Sequence, residues 1–442
     1  MVKLEQRGRA KYKPAPNLAP EDIREFLLQK IAQESKIEGE IDIQDEVHYK
    51  PDKFNVLSLF CGAGGLDLGF ELAGLQAVIG EENALKAFKD KDQYSRLREQ
   101  SIFHTIFAND YFKEALETYK RNLKDPEKTN VLYGDIRKIK RFPKADIVLG
   151  GFPCPGFSEA GPRLIDDERN FLYLQFIRCL QESEPDIFVA ENVKGMLTLG
   201  KGEVFKQIVE DFEAVGYKVY YKKDPMDIFP VPLNARDYGV PQLRERVFLV
   251  GVREDPKKPL NFIYEFPNPT HGPGTKQPFV TLSDAIKDLN GDPNKYGKYY
   301  KGSFSPIYMS RNRRKNWDEQ SFTIQASGRQ APLHPGVPPM EFVEKDKWKF
   351  TGDESEYRRL SIKEIQRIQT FPDWYEFCPL DPQINSQVDK IYKQIGNAVP
   401  VMLARAVALP IAKWAKEYLE EKRKTNQKNH KQDKQLTTVS GN

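Results

Sequence analysis

The chain lacks any uninterrupted apolar run near the ~20 residues that a membrane-spanning helix needs. Its first residues, MVKLEQRG, carry no apolar core of a signal peptide. Both absences lead us to expect a cytoplasmic protein. Cysteine is scarce: Cys61, Cys154, Cys179 and Cys378 lie far apart, and no two form a CxxC pair. With only five histidines, none at ligand spacing, a zinc site is not expected. An excess of one charge is missing too. The 68 Lys and Arg set against 64 Asp and Glu leave a net charge of +4. An anionic partner must therefore be met by a local patch, not by the whole surface. The 442 residues, 39% hydrophobic and 30% charged, suffice for two domains plus tails.

The sharpest local break lies at residues 145–161, ADIVLGGFPCPGFSEAG. Ile147 to Leu149 read as a buried strand, which two glycines and two prolines end abruptly. Such an ending delivers the next side chains to the carboxyl edge of a sheet, where α/β enzymes bind ligands. Cys154 stands there between Pro153 and Pro155, which stiffen the backbone. A lone cysteine is more often a small buried apolar residue. Held on a stiff loop at a sheet edge, it becomes a candidate nucleophile.

The rest of the chain supplies company for it. Residues 1–53 are polar, except for a predicted amphipathic helix over 20–33 that turns Ile23, Phe26, Leu27 and Ile31 onto the main body. Residues 54–74 read as strand, glycine loop and helix, with Gly62, Gly64 and Gly65 letting a ligand approach the backbone. This GxGG pattern suits nicotinamide, flavin, S-adenosylmethionine (AdoMet) or a plain tight turn. A ribose-binding carboxylate is then needed at the end of the second strand. Glu81 and Glu82 follow one apolar stretch at ordinary spacing. Asp110 follows another and precedes a helix over 111–122. We prefer Asp110, with 81–103 as an inserted charged excursion. Asp135 ends the next strand, within reach of an adenine amino group.

A helix over 170–182 leads to a strand at 186–190 that runs straight into Glu191. That carboxylate shares the sheet edge of Cys154; the bland alternative is a helix-capping acid. Gln242, Arg244 and Arg246 alternate onto one side of the chain, as a binding wall or as ordinary surface groups. Residues 253–356 mix prolines, aromatics and basic side chains with poor helical periodicity. Their Arg311, Arg313, Arg314 and Lys315 could meet phosphates or guanine edges, or form a solvated charge run. Residues 421–442 have little apolar content and are expected to be disordered.

Taken together, five motifs in order resemble the DNA cytosine-5 methyltransferases, over about residues 54–419. They are FCGAGG at 60–65, GFPCPGFS at 151–158, ENV at 191–193, QLRER at 242–246 and GNAVP at 396–400. Two positions depart from the family pattern. Pro155 stands where Gln commonly follows the nucleophile, and Ser58 where Asp often precedes the first loop.

The resemblance implies an α/β fold: a Rossmann-like AdoMet-dependent catalytic domain with a mixed, mostly parallel sheet, plus a smaller target-recognition domain. The implied division is 1–53 extension, 54–252 catalytic, 253–385 target recognition, 386–420 return to the catalytic domain, and 421–442 basic tail. It implies catalysis by Cys154, Glu191 and Arg246, with Arg244 in support. It implies AdoMet held by Phe60, Gly62, Gly64, Gly65, Leu66, Asp110, Asp135, Ile136, Pro153, Leu172, Asn397 and Ala398. It implies double-stranded DNA met by Ser158, Gln242, Arg311, Arg313 and Arg329. MSRNR at 309–313 and QASGRQ at 325–330 look like segments of bacterial methylases that read GGCC or GGNCC. The expected enzyme is a monomer that protects host DNA, with a cognate restriction endonuclease as genetic partner. An RNA cytosine methyltransferase on the same scaffold is the sister reading. The roughly hundred-residue recognition segment favours DNA, because A-form RNA hides the groove such a module reads. A nicotinamide dehydrogenase leaves Cys154, Glu191 and Arg246 unexplained together. A non-catalytic DNA-binding protein leaves Cys154 and Glu191 unused.

Overall fold

The computed structural model describes residues 19–34, 41–43, 47–123, 125, 129–153, 168–224, 229–257 and 259–439. Its strands are β1 (Phe54–Leu59), β2 (Phe103–Asp110), β3 (Asn130–Tyr133), β4 (Ile147–Gly150), β5 (Ile187–Val193), β6 (Tyr217–Tyr220), β7 (Leu233–Asn234), β8 (Glu245–Arg253), β9 (Met340–Glu344) and β10 (Lys347–Phe350). The first eight form one sheet in the order β3-β2-β1-β4-β5-β8-β6, with β7 beside β8. Strands β1 to β5 are parallel. β8 runs antiparallel to β5, β6 and β7. This is the mixed, mostly parallel sheet expected from the sequence.

The helices are α1 (Pro20–Glu34), α2 (Gly65–Ile79), α3 (Glu81–Phe88), α4 (Lys91–Leu97), α5 (Lys113–Asn122), α6 (Glu168–Ser183), α7 (Glu203–Ala214), α8 (Leu282–Ile286), α9 (Pro293–Tyr296), α10 (Ile362–Ile368), α11 (Asn385–Asn397) and α12 (Val401–Val439). They cover the sheet on both sides, which is why β1 and β4 are buried along their whole length and read as apolar runs instead of alternating. On one side, Leu57, Val148 and Phe188 pack with Phe176 of α6, Phe212 of α7, and Ile23, Leu27 and Ile31 of α1. Full burial of each such side chain contributes about 1.5–3 kcal/mol. The 20–33 segment therefore docks as expected, with Phe26 half-buried. On the other side, Val56, Leu149 and Val189 meet Phe70 of α2 and Leu403, Ala404 and Val407 of α12.

Three expectations need revision. Residues 77–79, read as the close of a possible second strand before Glu81, are the last turn of α2. The second strand is β2, and Asp110 is its final residue. The segment beyond 420, expected to be disordered, continues as α12 to Val439; Lys, Gln and Glu are good helix formers. Finally, counting uninterrupted apolar residues understates α12. The stretch Asn385–Thr425 contains an 18-residue window apolar enough to cross a membrane, and 61% of that window is buried inside the protein. The packing against α2 accounts for its composition.

Residues 253–356 hold only short helices, the β9–β10 hairpin and irregular chain, in keeping with their poor periodicity. A small core of Tyr308, Leu333, Val337, Met340 and Tyr357 belongs to this region. A second cluster links it to the main body, joining Ile324, Leu360 and Ile365 to Leu72 of α2, Phe88 of α3 and Leu116 of α5.

Candidate active site

Strand order reverses between β1 and β4, and a cleft of about 760 Å³ opens there beyond the carboxyl ends of the parallel strands. Its size suits a cofactor-sized ligand. Each parallel strand delivers one piece of the wall. After β1 comes Phe60, a half-buried aromatic at φ +55. A non-glycine residue in that region carries strain that clusters at ligand sites. Gly62 follows, its backbone N–H donating to Asp110 Oδ2 at 2.8 Å. Gly64 caps α2 in the left-handed region at φ +80, and a Cβ there would collide with Leu123. Gly65 and Leu66 open α2 and line the cleft; Gly64 itself does not.

Asp110, at the end of β2, also accepts from the Phe112 N–H at 2.7 Å. Burial pushes its carboxyl above the usual range, against the pull of those N–H donors and of Lys393. Beyond β3, Asp135 is opposed by burial, yet the Arg137 side chain and N–H hold it below its usual value. Ile136 and Leu172 supply apolar wall between these acids, and Asn397 and Ala398 close the cleft from the end of α11. A glycine loop, a buried carboxylate one strand over and an apolar wall fit an AdoMet-sized zwitterion with a nucleoside at one end.

The other end of the cleft is formed by Gly151, Phe152 and Pro153 after β4, and by Glu191, Asn192 and Val193 of β5. β8 is antiparallel to β5, so its first residues reach the same edge. Arg246 stands opposite Val193, which makes it the diagonal neighbour of Glu191 on one face. The pair closes at 2.7 Å between Arg246 Nε and Glu191 Oε1, with both side chains largely buried. Burial raises the Glu191 carboxyl, while Arg246 and Arg244 pull it back. Asn192 Nδ2 donates to the Phe152 carbonyl at 3.1 Å and so ties this strand to the residues just after β4. Cys154 itself, Ser158 and the rest of 154–167 lie outside the described residues.

The expected DNA readers divide. Arg311 and Arg329 are exposed, and Arg329 donates to the Tyr300 hydroxyl at 3.1 Å. Arg313 is turned inward. It is 5% exposed and donates to the carbonyls of Tyr308 and Ile307 and to Gln330 Oε1. Gln242 and Arg244 form no surface wall either: both are fully buried and neither lines the cleft. Residues 321–325 and the end of α11 cover both side chains.

Several cleft residues escaped the sequence reading. Lys393 lies one helical turn before Asn397 on α11, with its ammonium 4.6 Å from the ring of Phe112. Its i, i+4 spacing from Asn397 was the available signal. Tyr111, directly after Asp110, is 72% exposed and stacks on Tyr133 at 6.0 Å. Cys61 also lines the cleft; burial first, then Asp110 and Asp67, drive its thiol well up, so it is no rival thiolate.

Residues 54–413 match the family described as C-5 cytosine-specific DNA methylase. The chain is 59% identical over 428 residues to the type II methyltransferase M.BspRI of Lysinibacillus sphaericus, covering 95% of this chain and 96% of that one. It is 57% identical over 445 residues to the type II methyltransferase M.BsuRI of Bacillus subtilis, covering 99% and 98%. Among solved structures, a putative DNA modification methyltransferase encoded within an E. coli prophage aligns over 81% of this chain and 98% of that one, with TM-score 0.52 and 21% identity. DNMT2 of Spodoptera frugiperda aligns over 81% and 100%, with TM-score 0.53 and 16% identity. At those identities the two structures speak for the fold alone.

Proposed function

Given that the chain belongs to the C-5 cytosine-specific DNA methylase family, as an enzyme of restriction-modification type, we propose how its own residues divide the reaction. The observation that carries this reading is Glu191, which lines the cleft shared with the glycine loop and is held from behind by Arg246 at 2.7 Å. Burial raises the proton affinity of the Glu191 carboxyl, which suits it to share a proton with N3 of a cytosine. Arg246, already at its side, is placed for the O2 oxygen. Cytosine C5 is a poor nucleophile until a thiolate adds at C6 and makes it enamine-like. Cys154 supplies that thiolate and forms the covalent bond. Once C5 is methylated, loss of its proton and expulsion of the Cys154 sulfur release 5-methylcytosine. The base cannot be reached inside a duplex, so it is flipped out at a cost of about a few kcal/mol.

When bound, AdoMet supplies the methyl group from its sulfonium. Phe60 would lie against its adenine and Asp135 near the adenine amino group. Asp110 would hold the ribose hydroxyls, with Asn397 at the methionine end. Residues 253–385 act as the recognition domain, reading a short GGCC-like duplex site through Arg311 and Arg329. Methylation of that site shields host DNA in the bacterial cytoplasm from a cognate endonuclease. The chain acts as a monomer on double-stranded DNA. A duplex with 5-fluorocytosine at the target, incubated with AdoMet, should trap a covalent complex visible on a denaturing gel. The complex should vanish with Cys154→Ser; its absence with the native chain would overturn thiol addition.

A further inference from the structure

Gln242 and Arg244 are fully buried, polar and far too well bonded to be filler. Arg244 donates from Nη1 to the Ile324 carbonyl at 3.0 Å, and from Nη2 to the carbonyls of Gly396 at 2.7 Å and Ala398 at 3.0 Å. Among the described residues it has no ion pair, and its Nε has no partner. Taking a guanidinium out of water for three neutral carbonyls is costly. Gln242 spans the same gap by another route. Its Oε1 accepts from the Ile324 N–H at 2.8 Å, and its Nε2 donates to Gln369 Oε1 at 2.8 Å. Gln369 Nε2 then donates to the Ile395 carbonyl at 2.6 Å and the Ala398 carbonyl at 3.2 Å. Two struts therefore run side by side between the same two points, Ile324 and Ala398.

Those two points are functional neighbours in sequence. Ile324 immediately precedes the 325–330 segment that carries Arg329. Ala398 and Asn397 line the cofactor cleft. The backbones also touch directly: a Cβ at Gly396 would collide with the main chain of Gln325 and Ala326. From the far side, Asp389 of α11 accepts from the Gly328 N–H at 2.7 Å and the Ser327 hydroxyl at 3.1 Å. The recognition segment cannot shift without carrying the cofactor-side turn with it, because bonded polar groups fix both faces of the contact.

We propose that Gln242 and Arg244 are positioning residues that couple DNA reading to cofactor holding, so that each ligand tightens the binding of the other. This rests on the assignment of 325–330 to DNA and of 396–398 to AdoMet made above. Coupling of this kind is reciprocal, and its usual size is roughly 5- to 150-fold in affinity. The charge on Arg244 also acts through space on Glu191, which places the same side chain within influence of the reacting base.

The test is equilibrium binding of a GGCC duplex with and without saturating S-adenosylhomocysteine. The native chain should bind the duplex on the order of tenfold more tightly with the cofactor product present, and the reciprocal titration should give the same factor. Arg244→Met should bring the factor towards one, while Arg244→Lys, which restores one donor group, should fall between. If Arg244→Met does not fold, Gln242→Leu cuts the second strut and should lower the same ratio. An unchanged ratio in a folded variant, or a ratio of one in the native chain, would overturn the coupling. A native chain that binds neither ligand would instead overturn the underlying functional reading.

Discussion

The cleft at the carboxyl ends of the strands and residues 253–385 bury polar groups to opposite ends. Around the cleft, buried acids stand at strand ends and face open volume: Asp110 after β2 and Glu191 in β5 both line it. In residues 253–385 buried cations face the protein, Arg313 among them. Arg313 spends its donors on Tyr308, Ile307 and Gln330, and its guanidinium lies 4.6 Å from the Tyr308 ring. A sheet edge supplies geometry from the backbone, so a polar side chain there can line the cleft while bonded, as Asp110 is to two N–H groups and Glu191 to Arg246. A region of short elements with a small core needs polar side chains to hold its own chain together. Charge density in the sequence reports both uses alike.

Breaking the first half of the comparison should give the largest effect. Glu191→Gln removes the shared proton and should lower kcat roughly 10²–10⁴-fold, with binding of S-adenosylhomocysteine kept. Steady-state kinetics beside calorimetry would show it, and a kcat within a few-fold of native would remove Glu191 from the chemistry.

A second prediction sharpens the cost of burying acids near the cleft. Asp67 of α2 accepts from the Tyr119 hydroxyl at 2.8 Å, and the Ser58 side chain also pulls its pKa down. Burial raises it from 3.8 to about 6. A raised carboxyl contributes stability that is complete below its unfolded pKa and is lost as pH rises through the folded one. The native chain should therefore lose about 3 kcal/mol between roughly pH 3 and 7 relative to Asp67→Asn. Urea unfolding of both proteins across that window measures the difference; parallel curves would show that Asp67 does not titrate there.

The recognition region supplies the smallest effects and the cleanest contrast. Arg313→Ala leaves buried acceptors unpaired and should cost roughly 1–3 kcal/mol of stability. Arg311→Ala should leave stability nearly unchanged and cost roughly 1–3 kcal/mol of discrimination at one guanine. Thermal unfolding and binding to single-substitution duplexes separate the two. A swap of these outcomes would erase the distinction between inward and outward arginines.

What the sequence made legible follows the same line. The strand–glycine–helix pattern at 54–74 and the strand into Glu191 are backbone features, and each placed its residues at the sheet edge; the break after Leu149 ends β4 as expected, while Cys154 beyond it lies outside the described residues. Asp110 emerged over Glu81 because β2 ends there, although the helices α3 and α4 in between could not be told from charged loop. The misreadings concern side-chain direction. Alternation put Gln242, Arg244 and Arg246 on one side, but it could not show that residues 321–325 cover the first two. Nor could it show that Arg313 turns back on Tyr308. Those outcomes depend on contacts between segments up to 154 residues apart, which no local pattern encodes.

The most direct test of the whole account is where the methyl group goes. A GGCC-containing duplex incubated with the purified chain and methyl-labelled AdoMet, then digested to nucleosides, should carry all its label as 5-methyldeoxycytidine by mass spectrometry. Label on the exocyclic N4, or no label on duplex DNA, would contradict it.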